Sequence, residues 1–266
     1  MPDRQRTYRT QAVILRRRDY QDADRVLTVF TPGAGKQEFI AKGIRKTSSR
    51  KAGHLELFTH AALLVAQART WDIVTEAVTV ESFRYLRENL DDIGRAAYLC
   101  ELIDCFTEAD DDSQPLWELL LITLRELDQH AEAVAKGESA VDVGLLLRWF
   151  ELHLLGLSGF QPQLYTCMGS GEELQEETNY LSIGESGVFS PQFGKHRADV
   201  EPIAPDVLKV LRFLQRSRWS EVRGLSVRPL NLLKIENILH RMVLSILERQ
   251  LKSVDFLRKL NYLAAG

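Results

Sequence analysis

The pattern of apolar and polar positions changes near residue 82. Before it, short runs rich in β-branched and aromatic residues alternate with polar or glycine-containing links, a pattern typical of strands. The five runs are QAVILRRR, RVLTVFT, KQEFIAKGI, LFTHAALLVAQA and DIVTEAVTV. Because five short strands at this spacing suit a small barrel, we predict one over residues 1–81.

From Ser82 onward, apolar residues recur at intervals of three and four, which predicts helices. The pattern stops between residues 161 and 202, where glycine, proline and serine surround two candidate strands, NYLSI and GVFS. The chain is therefore predicted to be α+β. A barrel over 1–81 is followed by a helical domain over 82–160 and 203–266, which contains a compact insertion at 161–202.

Composition is that of an ordinary globular protein, with 45% hydrophobic and 27% charged residues in 266. No stretch approaches the roughly 18–20 apolar residues of a membrane helix, and Met1–Arg9 is polar. We therefore expect a cytoplasmic protein that does not enter a membrane. The cysteines are Cys100, Cys105 and Cys167, too few for a disulfide framework.

The net charge of -3 conceals a strong segregation of charge. Residues 1–51 carry thirteen Lys or Arg against five Asp or Glu, and residues 178–266 carry fourteen against eight. Residues 52–177 carry seven against twenty-four. This asymmetry indicates an anionic partner for the basic segments. The acidic segment is equally explained by a solvated surface.

Gly33-Ala34-Gly35-Lys36 resembles part of a phosphate-binding loop, but the match fails at both ends. That loop needs a glycine five residues before the Gly-Lys pair and a Ser or Thr after it, whereas this chain has Phe30 and Gln37 there. A glycine-rich hairpin turn between two strands is the better interpretation.

Other catalytic and metal-binding patterns are also missing from the sequence. No histidine has a second His or Cys at metal-ligand spacing, and HExxH and GxSxG do not occur. The run Asp110–Asp112 is interpreted as a solvated helix boundary rather than a cation site. We therefore predict no catalytic residue, no bound metal and no enzyme activity.

The basic content of the first segment is the best remaining signal, because Lys and Arg along a groove neutralise nucleic-acid phosphates. Tyr20, Phe39 and Trp71 could stack on bases, although aromatic residues in a small barrel also form its core. The cations that make up this signal are Arg16, Arg17, Arg18, Lys36, Lys42, Arg45, Lys46, Arg50 and Lys51.

These residues belong to a recognisable stretch, AVILRRRDYQDADRVLTVFTPGAGKQEFIAKGIRKTSSRKAGHLELFTHAALLV. It resembles the N-terminal domain of the RecO family of bacterial recombination mediators. The features shared with the family are a strand ending in Arg, then Asp-Tyr, Ala-Asp-Arg, Gly-Lys, Lys-Gly-Ile-Arg-Lys and Leu-Glu-Leu-Phe-Thr. Further matches at LLRWFELHLLGLSGFQPQL, FSPQFG and LKSVDFLRKL extend the resemblance to nearly the whole chain.

The resemblance implies an OB-fold barrel followed by an α-helical domain with a small zinc-ribbon-like insertion. It implies annealing of complementary strands without ATP and binding of single- and double-stranded DNA. The cations predicted to contact DNA, carried over by position, are Arg16, Arg18, Lys36, Lys42, Arg45, Lys46, Arg50 and Lys51. It also implies action with RecR and RecF, which helps RecA displace single-stranded DNA-binding protein. A nucleoid-associated location in the cytoplasm follows.

The insertion departs from the family pattern of two Cys-x-x-Cys pairs, which would hold a tetrahedral zinc. Cys167-Met168-Gly169-Ser170 keeps one cysteine, and the KHRADVEP stretch that should hold the second pair has none. With His196 these residues cannot supply four ligands, so we predict no structural zinc and no other cofactor. The side chains expected to hold the insertion by packing are Leu164, Tyr165, Leu181, Phe189 and Phe193.

The basic C-terminal segment is the second candidate binding surface. By the resemblance, its helices would recognise the acidic C-terminal tail of single-stranded DNA-binding protein. An ordinary solvated helical face explains the same residues, which are Arg212, Arg216, Arg218 and Arg223. A different class of function also stays open, a scaffold that bridges RecR and single-stranded DNA-binding protein with little DNA affinity of its own.

Overall fold

The computed structural model describes residues 7–109 and 113–254. The chain divides into two compact units, Met1–Glu138 with Leu251–Gly266, and Ser139–Gln250. This division groups the first two long helices with the barrel. The predicted domain boundaries at residues 81, 160 and 202 stay a prediction.

The first unit begins with five strands, β1 (Thr7–Tyr20), β2 (Asp24–Thr31), β3 (Gly35–Ala41), β4 (His60–Ala66) and β5 (Asp72–Glu81). Their order is β1-β2-β3-β5-β4, and β1 also pairs with β4. The parallel β3–β5 seam has only two residue pairs, Phe39 with Asp72 and Ile40 with Ile73. The predicted five-stranded N-terminal domain followed by helices is confirmed.

Inward-facing side chains at alternate positions of the strands form the barrel core. Leu27 and Val29 of β2 face Leu63 and Val65 of β4 within one buried cluster. Phe39 belongs to this cluster and is 2% exposed, so the interpretation as core is confirmed and base stacking by Phe39 is excluded.

Two long helices complete the first unit, α1 (Leu90–Phe106) and α2 (Gln114–Lys136). The side chain of Asn89 accepts a hydrogen bond from the Asp92 N–H and starts α1, while left-handed Gly137 ends α2. The prediction of a regular helix from Ser82 is wrong before residue 90. That stretch forms only a short 3-10 helix at Tyr85–Arg87, because Asn89 caps the helix that follows.

The second unit is built around α3 (Val143–Leu157), which is buried on nearly all sides. It packs against α5 (Pro205–Arg216), α6 (Trp219–Val222) and α7 (Pro229–Leu247). Prolines occupy the first turn of α5 and α7, where the missing N–H has no intrahelical partner.

The predicted insertion forms a small sheet with the order β7-β6-β8. Its strands are β6 (Asn179–Ser182), β7 (Gly187–Phe189) and β8 (Glu201–Ile203), and α4 (Pro191–Gly194) lies between the last two. Leu164, Leu181 and Phe189 are buried as predicted. Tyr165 is half-buried, and Phe193 is 41% exposed.

Phe193 nevertheless packs on Gly169, where an added Cβ would lie 2.6 Å from its ring. No group of three or more His, Cys, Asp or Glu side chains suited to a metal ion occurs within residues 7–109 and 113–254. In the same residues, no helix is both long and apolar enough to cross a membrane.

Candidate nucleic-acid interface

The turn after β3 displays the most exposed part of the predicted basic set. Lys42, Arg45, Lys46 and Arg50 are all exposed there. Gly43 adopts a left-handed φ of 66° and donates its N–H to Asp24 Oδ1 at 2.7 Å. The Arg45 N–H donates to the carbonyl of Ala23 at 2.9 Å. The backbone of the turn is therefore held against the β1–β2 loop.

Few acidic groups neutralise this turn. Arg45 Nε lies 3.5 Å from Asp19 Oδ2, and Asp19 accepts a shorter hydrogen bond of 2.8 Å from Arg25. The hydrogen bond from Arg25 is the main cause that lowers the pKa of Asp19. Within the described part of the chain, Lys42, Lys46 and Arg50 have no ion-pair partner. The turn thus presents net positive charge to solvent.

An aromatic cleft of about 370 Å³ lies beside this turn, between the β1–β2 loop and the β4–β5 loop. The rings of Tyr20 and Trp71 meet edge to face there, with centroids 5.2 Å apart and an interplanar angle of 79°. Both side chains are half-buried. The other residues that line the cleft are Gln21, Asp24, Ile40, Lys42, Ala68, Arg69, Thr70 and Ile73.

Hydrogen bonds hold the loop that carries Trp71. Its Nε1 donates to Glu38 Oε2 at 3.1 Å, and the guanidinium of Arg18 lies 5.1 Å from the ring centroid. Asp72 accepts from the Ala68 N–H at 2.9 Å and from the Tyr8 hydroxyl at 2.8 Å. The aromatic wall is therefore positioned by contacts within the barrel.

Two of the predicted cations, Lys36 and Lys51, make part-buried hydrogen bonds within the unit. Lys36 Nζ donates to the Asp104 carbonyl at 2.6 Å and lies 3.3 Å from its carboxylate, which Arg16 approaches at 3.6 Å. Lys51 Nζ donates to the Val74 carbonyl at 2.7 Å, and burial lowers its pKa. Arg16, Arg18, Lys42, Arg45, Lys46 and Arg50 are therefore exposed to solvent, whereas Lys36 and Lys51 are half-buried and bound to backbone carbonyls.

Arg69 was missed by the sequence reasoning. It is exposed and lines the aromatic cleft opposite the basic turn. The signal was the placement of Arg69 and Trp71 two residues apart in a link between predicted strands. Charge content did not indicate Arg69, because this residue lies outside the basic segment of residues 1–51.

The four arginines predicted to bind an acidic tail are not equivalent. Arg212 is half-buried, its Nε donates to the Leu164 carbonyl at 2.8 Å, and its guanidinium lies 5.3 Å from the Tyr165 ring centroid. Arg216, Arg218 and Arg223 are exposed around α6. Arg212 thus joins α5 to the insertion, while Arg216, Arg218 and Arg223 expose their side chains to solvent.

Cys167 lies buried where the family pattern has a zinc ligand. Its Sγ accepts a hydrogen bond from the Ser190 N–H at 3.3 Å. Burial opposes ionisation, but hydrogen bonds from Ser190, Ser170 and Gly169 lower the pKa of the thiol to about 6. Protein donors occupy the position beside the sulfur, so packing and hydrogen bonds organise this part of the insertion. The acidic run Asp110–Asp112 lies outside the described residues.

Two family models together match almost the whole chain. "Recombination protein O N terminal" matches residues 5–83 and "Recombination protein O C terminal" matches residues 87–255. A DNA repair protein RecO from Roseiflexus sp. (strain RS-1) is 40% identical over 255 residues, 96% of this chain and 86% of the relative.

More distant relatives match over the same length. The DNA repair protein RecO of Dehalococcoides mccartyi (strain 195) is 32% identical over 254 residues, 96% of each chain. That of Desulforamulus reducens (strain MI-1) is 30% identical over 253 residues, 95% of this chain and 94% of the relative. The predicted resemblance is confirmed, and the chain belongs to the RecO family.

Proposed function

We propose that the protein acts in DNA repair and recombination by binding single- and double-stranded DNA through its barrel and annealing complementary strands. The observation that carries the proposal is the exposed, largely unneutralised turn with Lys42, Lys46 and Arg50. Such a turn binds phosphates through counterion release, largely independent of sequence. The DNA repair role of the named relatives supports the same function.

The strand order β1-β2-β3-β5-β4 with a thin β3–β5 seam supports the finer assignment of the barrel as an OB-fold. OB-folds bind oligonucleotides on the face of strands 2 and 3 and with the loops between strands 1 and 2 and strands 4 and 5. In this protein the aromatic cleft lies between those same two loops. The aromatic cleft, which Lys42 of the basic turn helps to line, therefore lies where an OB-fold is expected to bind nucleic acid.

Annealing would follow from charge neutralisation. Two single strands repel each other through closely spaced phosphates, and cations that cover both strands lower this repulsion. Base pairing then supplies the driving free energy, so the reaction needs neither ATP nor a catalytic residue. On this proposal the protein is not an enzyme and needs no cofactor.

The proposed partners are RecR, RecF, RecA and the acidic tail of single-stranded DNA-binding protein, and the proposed location is the cytoplasm. The exposed Arg216, Arg218 and Arg223 are the residues proposed to receive the tail. Charge reversal of Arg216 and Arg218 should abolish binding of a tail peptide in a fluorescence titration. Unchanged binding would assign these arginines to an ordinary solvated surface.

The first experiment compares wild type with a variant in which Lys42, Arg45, Lys46 and Arg50 are replaced by Ala. Anisotropy of a labelled oligonucleotide is measured at several salt concentrations. Loss of four phosphate contacts should reduce the slope of log affinity against log salt by up to about 2.8 for a single strand.

The matched control removes four exposed cations from the second unit, Lys195, Lys209, Lys234 and Arg249. It changes net charge equally, so retained binding would assign the effect to the barrel turn. Equal binding by wild type and the barrel variant would contradict the proposal. It would favour the scaffold that bridges RecR and single-stranded DNA-binding protein.

A further inference from the structure

We infer that the aromatic cleft between Tyr20 and Trp71 binds one unstacked nucleobase, which makes it a base subsite beside the phosphate-binding turn. The inference rests on the proposed DNA binding and adds to it a preference for single strands. It depends on the shape of the cleft, the charges around it and the contacts that hold its walls.

The shape suits a flat aromatic ligand. Tyr20 and Trp71 touch edge to face and stand almost perpendicular, so a planar ring that packs on the face of one would direct its own edge toward the other. Ile40 and Ile73 add apolar surface between the two loops. A volume of about 370 Å³ is near the lower end of ligand clefts. This space suits one base and is too small for a base-paired duplex.

The charges around the cleft suit the backbone attached to that base. Lys42 and Arg69 line it from opposite loops and can receive the flanking phosphates. One acidic side chain, Asp24, shares the cleft lining with these two cations, and it accepts a hydrogen bond from the Gly43 N–H. A bound strand would therefore meet cations at the rim of the cleft.

The walls are already in place before a ligand binds. Trp71 is held by its hydrogen bond to Glu38 and by the guanidinium of Arg18. A preorganised stacking surface avoids the entropy cost of ordering side chains upon binding. Bases inside a duplex are stacked and paired, so their faces cannot enter the cleft. The subsite would therefore add affinity for single strands only.

The test compares two oligonucleotides of equal phosphate number, oligothymidine and its fully abasic counterpart, both within the roughly 4–16 nucleotides that an OB-fold covers. If one base stacks, wild type should bind oligothymidine about 5- to 140-fold more tightly. Tryptophan fluorescence reports the site directly. Of the four tryptophans, Trp117, Trp149 and Trp219 are at most 5% exposed, whereas Trp71 is half-buried at the cleft.

Two variants separate stacking from folding. Trp71→Leu should bring the ratio of oligothymidine affinity to abasic affinity close to one, and Trp71→Phe should largely restore the ratio because it keeps a ring. Oligothymidine should quench the fluorescence of wild type, and this change should be missing from Trp71→Phe. Thermal unfolding of both variants checks that they fold.

Each outcome decides the inference. Equal binding of oligothymidine and the abasic strand by wild type would overturn the base subsite but leave the proposed phosphate binding standing. Binding of neither strand would overturn both. An oligothymidine advantage that survives Trp71→Leu would place base recognition elsewhere and would also overturn the inference.

Discussion

Two regions of the barrel carry the same kind of charge but use it differently. In the turn after β3, Lys42, Lys46 and Arg50 extend into solvent. Where β3 meets α1, Lys36 is bound to the carbonyl and carboxylate of Asp104. Both regions come from one basic segment of sequence, so the number of cations in a segment does not give the number available to DNA.

The difference follows from what surrounds each ammonium or guanidinium group. A cation next to unpaired backbone carbonyls satisfies them and loses mobility, while a cation on a glycine-containing turn keeps its hydration. Arg87 is the clearest member of the first class, since its Nη2 donates to the Leu57 carbonyl at 2.6 Å and to Thr59 Oγ1 at 2.8 Å. Replacing a cation of the first class should lower stability and leave DNA binding unchanged. Replacing a cation of the second class should weaken DNA binding and leave stability unchanged.

The largest effect is expected for Arg87→Ala, which leaves the carbonyls of Leu57 and Ser82 without their donor. The free energy of unfolding should fall by about 2–3 kcal/mol, measured as a lower urea midpoint at constant slope. The neighbouring Arg84 is the control, because its side chain is 79% exposed and its ion pair with Glu88 lies at the surface. Arg84→Ala should change stability by less than about 0.5 kcal/mol.

A pair of Lys→Met variants tests the comparison within the basic segment itself. Lys36→Met should lower the free energy of unfolding by about 1–2 kcal/mol, because it removes the hydrogen bond to Asp104. It should leave the salt dependence of DNA binding unchanged. Lys42→Met should do the reverse, with a smaller salt slope and nearly unchanged stability. If the folded Lys36→Met protein lost DNA binding, Lys36 and the turn after β3 would belong to one DNA-binding site.

Acid should weaken the fold before it affects the exposed turn. His60 is buried below Trp117, between Gln11 and Glu81, and burial is the main cause that lowers its pKa below 6.5. The unfolded chain then binds more protons in this range. The stabilisation is therefore complete above pH 6.5 and is lost as the pH falls through the folded-state pKa.

Urea unfolding between about pH 5 and 7.5 measures this effect, and His60→Gln should flatten the dependence. Lys and Arg stay charged throughout the range, so the salt slope of DNA binding should not change. If the free energy of unfolding of the wild type does not vary over this pH range, the burial of His60 does not make stability depend on pH.

The smallest effect is expected for Asp19→Asn. Asp19 accepts from Arg25 and lies 3.5 Å from Arg45 at the edge of the exposed turn. Removing its charge should free both guanidinium groups and tighten oligonucleotide binding about two- to threefold at low salt. The gain should vanish at high salt, where exposed charges are screened. A gain that persists at high salt would have a cause other than charge.

Much of the barrel could be predicted because alternate residues of its strands point into the core. Leu27 and Val29 both belong to the core cluster, whereas Thr28 between them is buried outside that cluster. The stretch from Ser82 was predicted wrongly, because apolar spacing alone does not show that Asn89 caps a later helix. Local capping decided the boundary there.

The candidate site was only partly predictable. Charge in the sequence indicated the turn around Lys42, but it could not distinguish Lys36 or Lys51, whose partners lie far along the chain. The β4–β5 link brings Arg69 beside Lys42 only through the pairing of β5 with β3. Long-range contacts of this kind depend on topology, and no local pattern reports them.

The short β3–β5 seam has a consequence for solubility. Beyond Ile73, β3 no longer covers β5, and a free strand edge can pair with a second chain. Lys51 Nζ instead covers the carbonyl of Val74, and His54 Nδ1 accepts from the Thr79 N–H at 3.3 Å. A lysine from the basic segment thus shields an open sheet edge and protects the barrel against edge-to-edge aggregation.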